Sequence, residues 1–326
     1  MVQKADAINS DNRARTDAEK TLDKIFIGIT LAFAWGIAAL LIIIALTVAW
    51  RSLPAFKEFH LGFLFTSSWN PQGRDGAGLY GAFPMIYGTL VSSALALLIA
   101  VPLGLGTAIF LSEDFIPLQF RTVLTFMVEL LAAIPSVVYG LWGIFVLLPF
   151  IKPIETFLGQ FLGWIPIFNL PEGSPPGGPG MLPTGIILAI MILPIITAIS
   201  RDSLASLPPD LRQASLGLGA TRWMTIFRVL IPAAFSGIVG GVMLGLGRAM
   251  GETMAATMLI GNSNKISFSL LDPANTIASL MANQFAEASG LQLSALMYAG
   301  VVLFILTLLV NIAAQWIVNQ VQAKYQ

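Results

Sequence analysis

Residues 213–232 read QASLGLGATRWMTIFRVLIP and lie between two long apolar runs, one ending near Ser200 and the next starting at Ala233. Four arginines, Arg201, Arg212, Arg222 and Arg228, fall in the connection that contains this stretch. Lys and Arg accumulate on the cytoplasmic side of membrane proteins, so this loop is expected inside the cell, where it has the character of a docking loop.

The surrounding composition supports a membrane setting. Of 326 residues, 56% are hydrophobic and only 10% charged, and the mean hydropathy is +0.82. A water-soluble fold has no means of hiding that much apolar surface. The chain contains no cysteine, which excludes disulfides, thiolate nucleophiles and Cys-based metal sites, and its one histidine, His60, does not make a zinc site alone. Net charge is zero, and the N-terminal tail balances acids against bases, so nothing points to nucleic acid.

A helix needs about twenty apolar residues to cross a hydrocarbon core. Six runs qualify: 25–50, 83–111, 123–151, 182–200, 233–260 and 293–318. The first is too long for a secretory signal and shows no convincing cleavage site, so it is expected to remain as a helix. With the N-terminus inside, Lys4, Arg13, Arg15, Lys20, Lys24, Arg121, the four loop arginines and Lys324 are cytoplasmic. Arg51, Lys57, Arg74, Lys152 and Lys265 are outside. This imbalance places both termini in the cytoplasm. The expected organisation is a cytoplasmic tail over 1–24, a six-helix membrane domain over 25–318 with a cytoplasmic loop at 201–232, and a short tail over 319–326. Pro102, Pro135, Pro149 and Pro194 interrupt the spans as kinks or hinges. The outer loop carries EGSPPGGPG, an irregular segment by composition.

Within the cytoplasmic loop, Pro208, Pro209 and Asp210 suit a helix start. Gly219 suits its end, because glycine accepts a left-handed backbone, and Thr221 can cap a second helix. That second helix carries Trp223, Ile226, Phe227 and Leu230 among Arg222 and Arg228, a pattern suited to the membrane interface, and Pro232 is expected to break it. A solvated connector fits the same residues.

The fifth span contains GLGRAMGETMA, which puts Arg248 and Glu252 well inside an apolar run. Charges there are expensive and should face protein or a watery path. On one continuous helix, Gly237, Gly241, Gly245, Arg248 and Glu252 share an arc of about 80°. The i, i+4 spacing allows Arg248 and Glu252 to pair. Two roles remain open for them: a structural ion pair, or a path element in which the guanidinium meets phosphate or another oxyanion and the carboxylate tempers its hold. Glu129, near one end of the third span, suits snorkelling or helix contact. Glu113, Asp114 and Arg121 form a short polar turn.

Gln213, Ala214, Ser215, Gly219, Val229, Ile231 and Pro232 resemble the EAA loop of ABC importer permeases, with Gln213 in place of the usual glutamate and Ser215 in place of the second alanine. Three further stretches, WNPQGRDGAGLYGAFPMIYGTLVSSALALLIAVPLGLGTAIFLSE at 69–113, ELLAAIPSVVYGLWG at 129–143 and GRAMGETMA, resemble the PstC family of phosphate importer permeases. The resemblance covers most of the chain after the tail. It implies an all-α integral membrane protein with the type I ABC importer permease fold, six transmembrane helices, and residence in the bacterial inner membrane. By the same resemblance, 213–215, Gly219 and Pro232 belong to a coupling helix and its flank, and Arg248 and Glu252 take part in phosphate transport. The implied partners are a PstA-like permease, two PstB-like ATPase subunits, a periplasmic PstS-like phosphate-binding protein and membrane lipid. ATP and Mg would be bound by the ATPase, since no Gly-Lys dipeptide, and hence no Walker A loop, occurs here. A permease for molybdate or sulfate, and an ion-coupled secondary anion transporter, are the alternatives.

Overall fold

In this computed structural model the described residues are 17–71, 73, 78–169 and 176–322. The charges of the tail before residue 17, Arg74, Lys324 and the first residues of the Pro/Gly cluster lie outside them. The chain divides into two compact units, 1–50 and 51–326.

The described part of the first unit is helical and belongs to α1 (Asp17–Phe59). Its large apolar side chains, from Leu22 to Trp50, are mostly exposed, as those of a lipid-facing helix are.

The second unit is built on α2 (Phe83–Ser112) and α6 (Met181–Ala205), which pack side by side in parallel along their length. Small residues permit that approach. Gly104 meets Ile196 and Thr197, and Gly185 meets Leu95, so a side chain at either glycine would collide with the facing helix. Ala96, Ala100, Leu188, Ile192 and Ile196 are almost wholly buried between them. Pro102 and Pro194 lie inside these helices without ending them.

The third apolar run is divided. Residues 118–132 form α3 (Leu118–Ala132), the chain breaks before Pro135, and a second, longer helical stretch follows. It comprises α4 (Ser136–Trp142), a π-helical segment at Gly143–Leu147 and α5 (Leu148–Leu162). The span long and apolar enough to cross a membrane is therefore Ser136–Leu162, a correction to the expected 123–151. The cause is Pro135, which lacks an N–H and forces its predecessor out of helix.

The loop after α6 contains α7 (Pro209–Gly217), α8 (Arg222–Thr225), a π-helical segment at Ile226–Leu230 and α9 (Ile231–Ala233). After a bend of 71°, α10 (Phe235–Gly251) begins, followed by α11 (Met254–Leu259), α12 (Ile277–Gln284) and α13 (Gly290–Gln322). Among the described residues, five helical stretches are long and apolar enough to span a membrane, and the bent pair raises the number to six.

At one end of the second unit, Phe63, Trp69, Tyr80 and Tyr298 form an aromatic cluster. A short antiparallel pair, β1 (Trp69–Asn70) with β2 (Leu79–Tyr80), holds it. Trp69 Nε1 donates to Gln284 Oε1 at 2.8 Å, and Tyr298 Oη donates to the His60 carbonyl at 3.1 Å. His60 thus opens a short 3-10 helix at His60–Leu64, with its backbone carbonyl held by the aromatic cluster and its side chain exposed.

Candidate functional site

Two places in the second unit gather the residues singled out from sequence: the α7–α9 segment, and one face of α10.

The first folds as its residues dictate. α7 starts at Pro209 with Asp210 in its first turn, and the chain turns out at Gly219, whose φ of +85° is the left-handed conformation that suits glycine. Thr221 then caps α8 by accepting the Met224 N–H at 3.3 Å. Ser215 and Thr225 join the two helices through their hydroxyls at 2.9 Å. The outer face of α7 carries Gln213, Ala214, Leu216 and Gly217, all exposed, and Leu218 beyond its end is 90% exposed.

The second helix departs from the interfacial expectation in one respect. Ile226 and Leu230 are buried with Leu204, Ala234 and Ile238, while Trp223 and Phe227 stay exposed and stack on each other. Pro232 also does not stop the helix. It sits inside α9, the five residues before α9 adopt π-helical pairing, and the break comes two residues after Pro232 at Ala234. Proline at the second position of a short helical segment loses no donor that the segment needs.

Arg212 and Arg222 bind this segment to the turn after α2, and Arg121 of α3 braces the same turn. Arg212 donates from Nε and Nη2 to Glu113 Oε1, each at 3.0 Å, and from Nη2 to the Leu204 carbonyl at 2.9 Å. Arg121 donates to the Glu113 carbonyl at 2.9 Å and to Asp114 Oδ1 at 3.1 Å. Arg222 donates to the Asp114 carbonyl at 3.1 Å and lies over the Phe115 ring, 4.8 Å from its centre. Arg121 and Asp114 pair within the polar turn expected from sequence, whereas Glu113 and the Asp114 carbonyl are met by Arg212 and Arg222, 99 and 108 residues away. Glu129 reaches Arg201 at 3.5 Å, a contact between α3 and α6.

On α10 the glycines divide by side. Gly241 and Gly245 pack against Ile199 and Ile196 of α6, and a side chain at Gly237 would strike Ser203. The expected close-packing ridge is therefore present. A neighbouring face, Gly240, Leu244, Gly247 and Gly251, is exposed, and so is Arg248, which stands between that face and the ridge. Ile195, Gly240, Met243, Leu244, Gly247, Arg248 and Asn311 line an open cleft of about 600 Å³ on this side.

Glu252 does not extend that face. The helix ends at Gly251, and Glu252 is extended, with φ −68° and ψ 123°. Its Oε1 instead accepts the Ala255 N–H at 3.3 Å, at the start of α11. Among the described residues neither Arg248 nor Glu252 forms an ion pair. The i, i+4 argument required a continuous helix, and the break removes it. The structure thus places Arg248 on the cleft and Glu252 at a helix junction. Asn311 was missed from sequence, although an uncharged polar residue deep in an apolar run is a visible signal.

Residues 100–325 match the family described as binding-protein-dependent transport system inner membrane component. The chain is 43% identical to the phosphate transport system permease protein PstC of Mesorhizobium japonicum, over 98% of this chain and 96% of that one. It is 40% identical to the PstC of Pasteurella multocida, over 96% and 98% of the two chains. PstC 2 of Mycobacterium tuberculosis is 41% identical over 86% of each. Among solved structures, a bacterial ABC transporter that imports the acidic polysaccharide alginate matches 94% of this chain and 99% of its own, at 16% identity and a TM-score of 0.57. An inward-facing MetNI methionine ABC transporter matches 74% and 94%, at 17% identity and a TM-score of 0.51. Those two likenesses carry the fold. With the helices and the sequence relatives together, the chain belongs to the family of inner membrane components of binding-protein-dependent transport systems, with the PstC permeases as its relatives.

Proposed function

We propose that this chain is a permease subunit of an ATP-driven importer of inorganic phosphate in the bacterial inner membrane, forming half of the path and coupling it to a cytoplasmic ATPase. The observation that carries this reading is Arg248, a guanidinium on a membrane helix that forms no ion pair among the described residues and lines a cleft of about 600 Å³. An intramembrane arginine that is not neutralised by protein is suited to an anionic substrate. The names of the PstC relatives supply the substrate class.

The α7 end of the unit supplies the coupling reading. Leu216 and Leu218 expose apolar surface on a short helix that Arg212 ties to α2 and α6. Such a helix fits a groove on an ATPase subunit, whose movement it passes to the membrane helices. ATP and its magnesium belong to two ATPase subunits, and a second, PstA-like permease completes the path. A periplasmic PstS-like protein delivers phosphate. Both termini and the 201–232 loop are cytoplasmic, as the Lys and Arg imbalance favours, and the chain carries out no catalysis of its own.

The test is reconstitution of the copurified complex in liposomes with the external binding protein. Phosphate-loaded binding protein is expected to stimulate ATP hydrolysis and uptake. Arg248→Ala is expected to leave assembly intact and to lower uptake about tenfold or more, the worth of a hydrogen bond to a charged group. Uptake driven by an ion gradient without an ATPase, or stimulation by molybdate or sulfate in place of phosphate, would refute the reading.

A further inference from the structure

α13 carries a polar stripe through an otherwise apolar stretch, with Thr307, Asn311, Gln315 and Asn319 recurring every four residues. That spacing puts them on one face. Thr307 Oγ1 donates to the Leu303 and Phe304 carbonyls, and Gln315 Nε2 donates to Asn319 Oδ1. Asn311 differs from these. Its Nδ2 donates to the Thr307 carbonyl at 2.9 Å, while Oδ1 accepts nothing from the described residues. Asn311 is exposed, and it shares the cleft with Arg248.

The remaining lining, Ile195, Gly240, Met243, Leu244 and Gly247, supplies no hydrogen-bonding side chain. The cleft therefore offers a charged donor from Arg248 and, from Asn311 on a different helix, a free amide oxygen beside one remaining N–H. An arginine only donates, and an amide oxygen only accepts. A fully ionised oxyanion such as sulfate presents acceptors alone, so Oδ1 faces it with a lone pair against a lone pair. The second Nδ2 hydrogen, which the bond to Thr307 leaves free, can donate to either anion, but only a substrate hydroxyl satisfies Oδ1. Phosphate at neutral pH keeps a P–OH, which donates to Oδ1 while its other oxygens accept from Arg248.

Resting on the reading of Arg248 above, we infer that Asn311 is a specificity-determining residue of the anion path, one that favours a protonated oxyanion over an unprotonated one. This selection is separate from any made by an external binding protein. A site that pairs a substrate hydroxyl with a fixed partner rejects analogues that lack the hydroxyl.

The chain has no cysteine, and a side chain at Gly247 meets open space, so Gly247→Cys introduces a single thiol into the cleft wall. In membrane vesicles holding the assembled complex, maleimide labelling of that thiol reads occupancy without the external binding protein. Inorganic phosphate is expected to slow labelling at concentrations about tenfold below those of inorganic sulfate. Adding Asn311→Leu should bring the two within about twofold of each other, the preference owed to one hydrogen bond being lost. Asn311→Asp, which retains an acceptor, should keep phosphate ahead of sulfate. Adding Arg248→Ala should remove protection by both anions. Loss of protection with Arg248→Ala but an unchanged preference with Asn311→Leu overturns the inference and leaves the path reading standing. Loss of the preference in Asn311→Asp also overturns the inference. Full protection with Arg248→Ala, or none with Gly247→Cys alone, overturns the path reading itself.

Discussion

Arg212 holds Glu113 through two donors, Nε and Nη2, each 3.0 Å from the same carboxylate oxygen, across 99 residues of sequence. The Glu113 side chain is only 10% exposed and that of Arg212 23%, so the pair is shielded from water and salt. The same guanidinium also reaches the end of α6 through the Leu204 and Leu207 carbonyls. One side chain of the exposed helix α7 therefore grips both helices that form the core of the unit.

Glu113→Ala should uncouple more than it unfolds. Removing one member of a buried pair costs about 3 kcal/mol, because the other charge is left desolvated. The complex is expected to assemble and hydrolyse ATP, but to import less phosphate per ATP. Glu113→Asp should recover part of that ratio. The measurement is uptake and hydrolysis in the same liposomes, and an unchanged ratio in Glu113→Ala would show that the clasp carries no motion.

Leu218 projects from the end of α7 with 90% of its surface exposed. Leu218→Asp should weaken recovery of the ATPase with the permease, by roughly 1–2 kcal/mol if Leu218 is a buried contact of that interface. The permease fold should be untouched, since Leu218 packs on nothing it needs. Copurification against detergent melting of the permease separates the two effects.

Gly245→Val should destabilise the membrane unit. A Cβ there already comes within 3.1 Å of Ile196, so further methyl groups must push α6 away, at about 1–3 kcal/mol. Gly106→Ala is the matched control on α2, where a Cβ meets nothing within 4 Å and alanine favours helix by about 0.5–1 kcal/mol. Thermal melting in detergent should fall for the first and hold or rise for the second.

Thr221→Ala removes the acceptor of the Met224 N–H and should cost about 1 kcal/mol at the start of α8. Faster hydrogen exchange is expected at 222–225, with exchange in α2 and α6 unchanged. Equal exchange in both proteins at 222–225 would mean that packing, not the cap, holds this turn.

Much of the helical punctuation was legible in the sequence. Pro209, Gly219 and Thr221 act as read, because caps and left-handed turns depend on the local backbone alone. The apolar runs located the spans, since a run's length and hydropathy are properties of the run itself. Where the reading slipped, a local break competed with composition. Residues 123–151 read as one apolar run, yet Pro135 divides them, and residues 233–260 hide the end of α10 at Gly251.

The sequence by itself therefore determined the membrane setting, the expected sidedness of the arginine-rich loop and the grammar of α7 and α8. The resemblance carried by residues 213–232 and GRAMGETMA pointed to the family. Only the tertiary structure decided what the charges do. It joined Arg212 to Glu113, separated Glu252 from Arg248 and set Asn311 on the cleft that Arg248 lines. The reason is distance along the chain: a cap or an apolar run is settled within a few residues, whereas an ion pair across 99 residues exists only once α2 and α6 have packed.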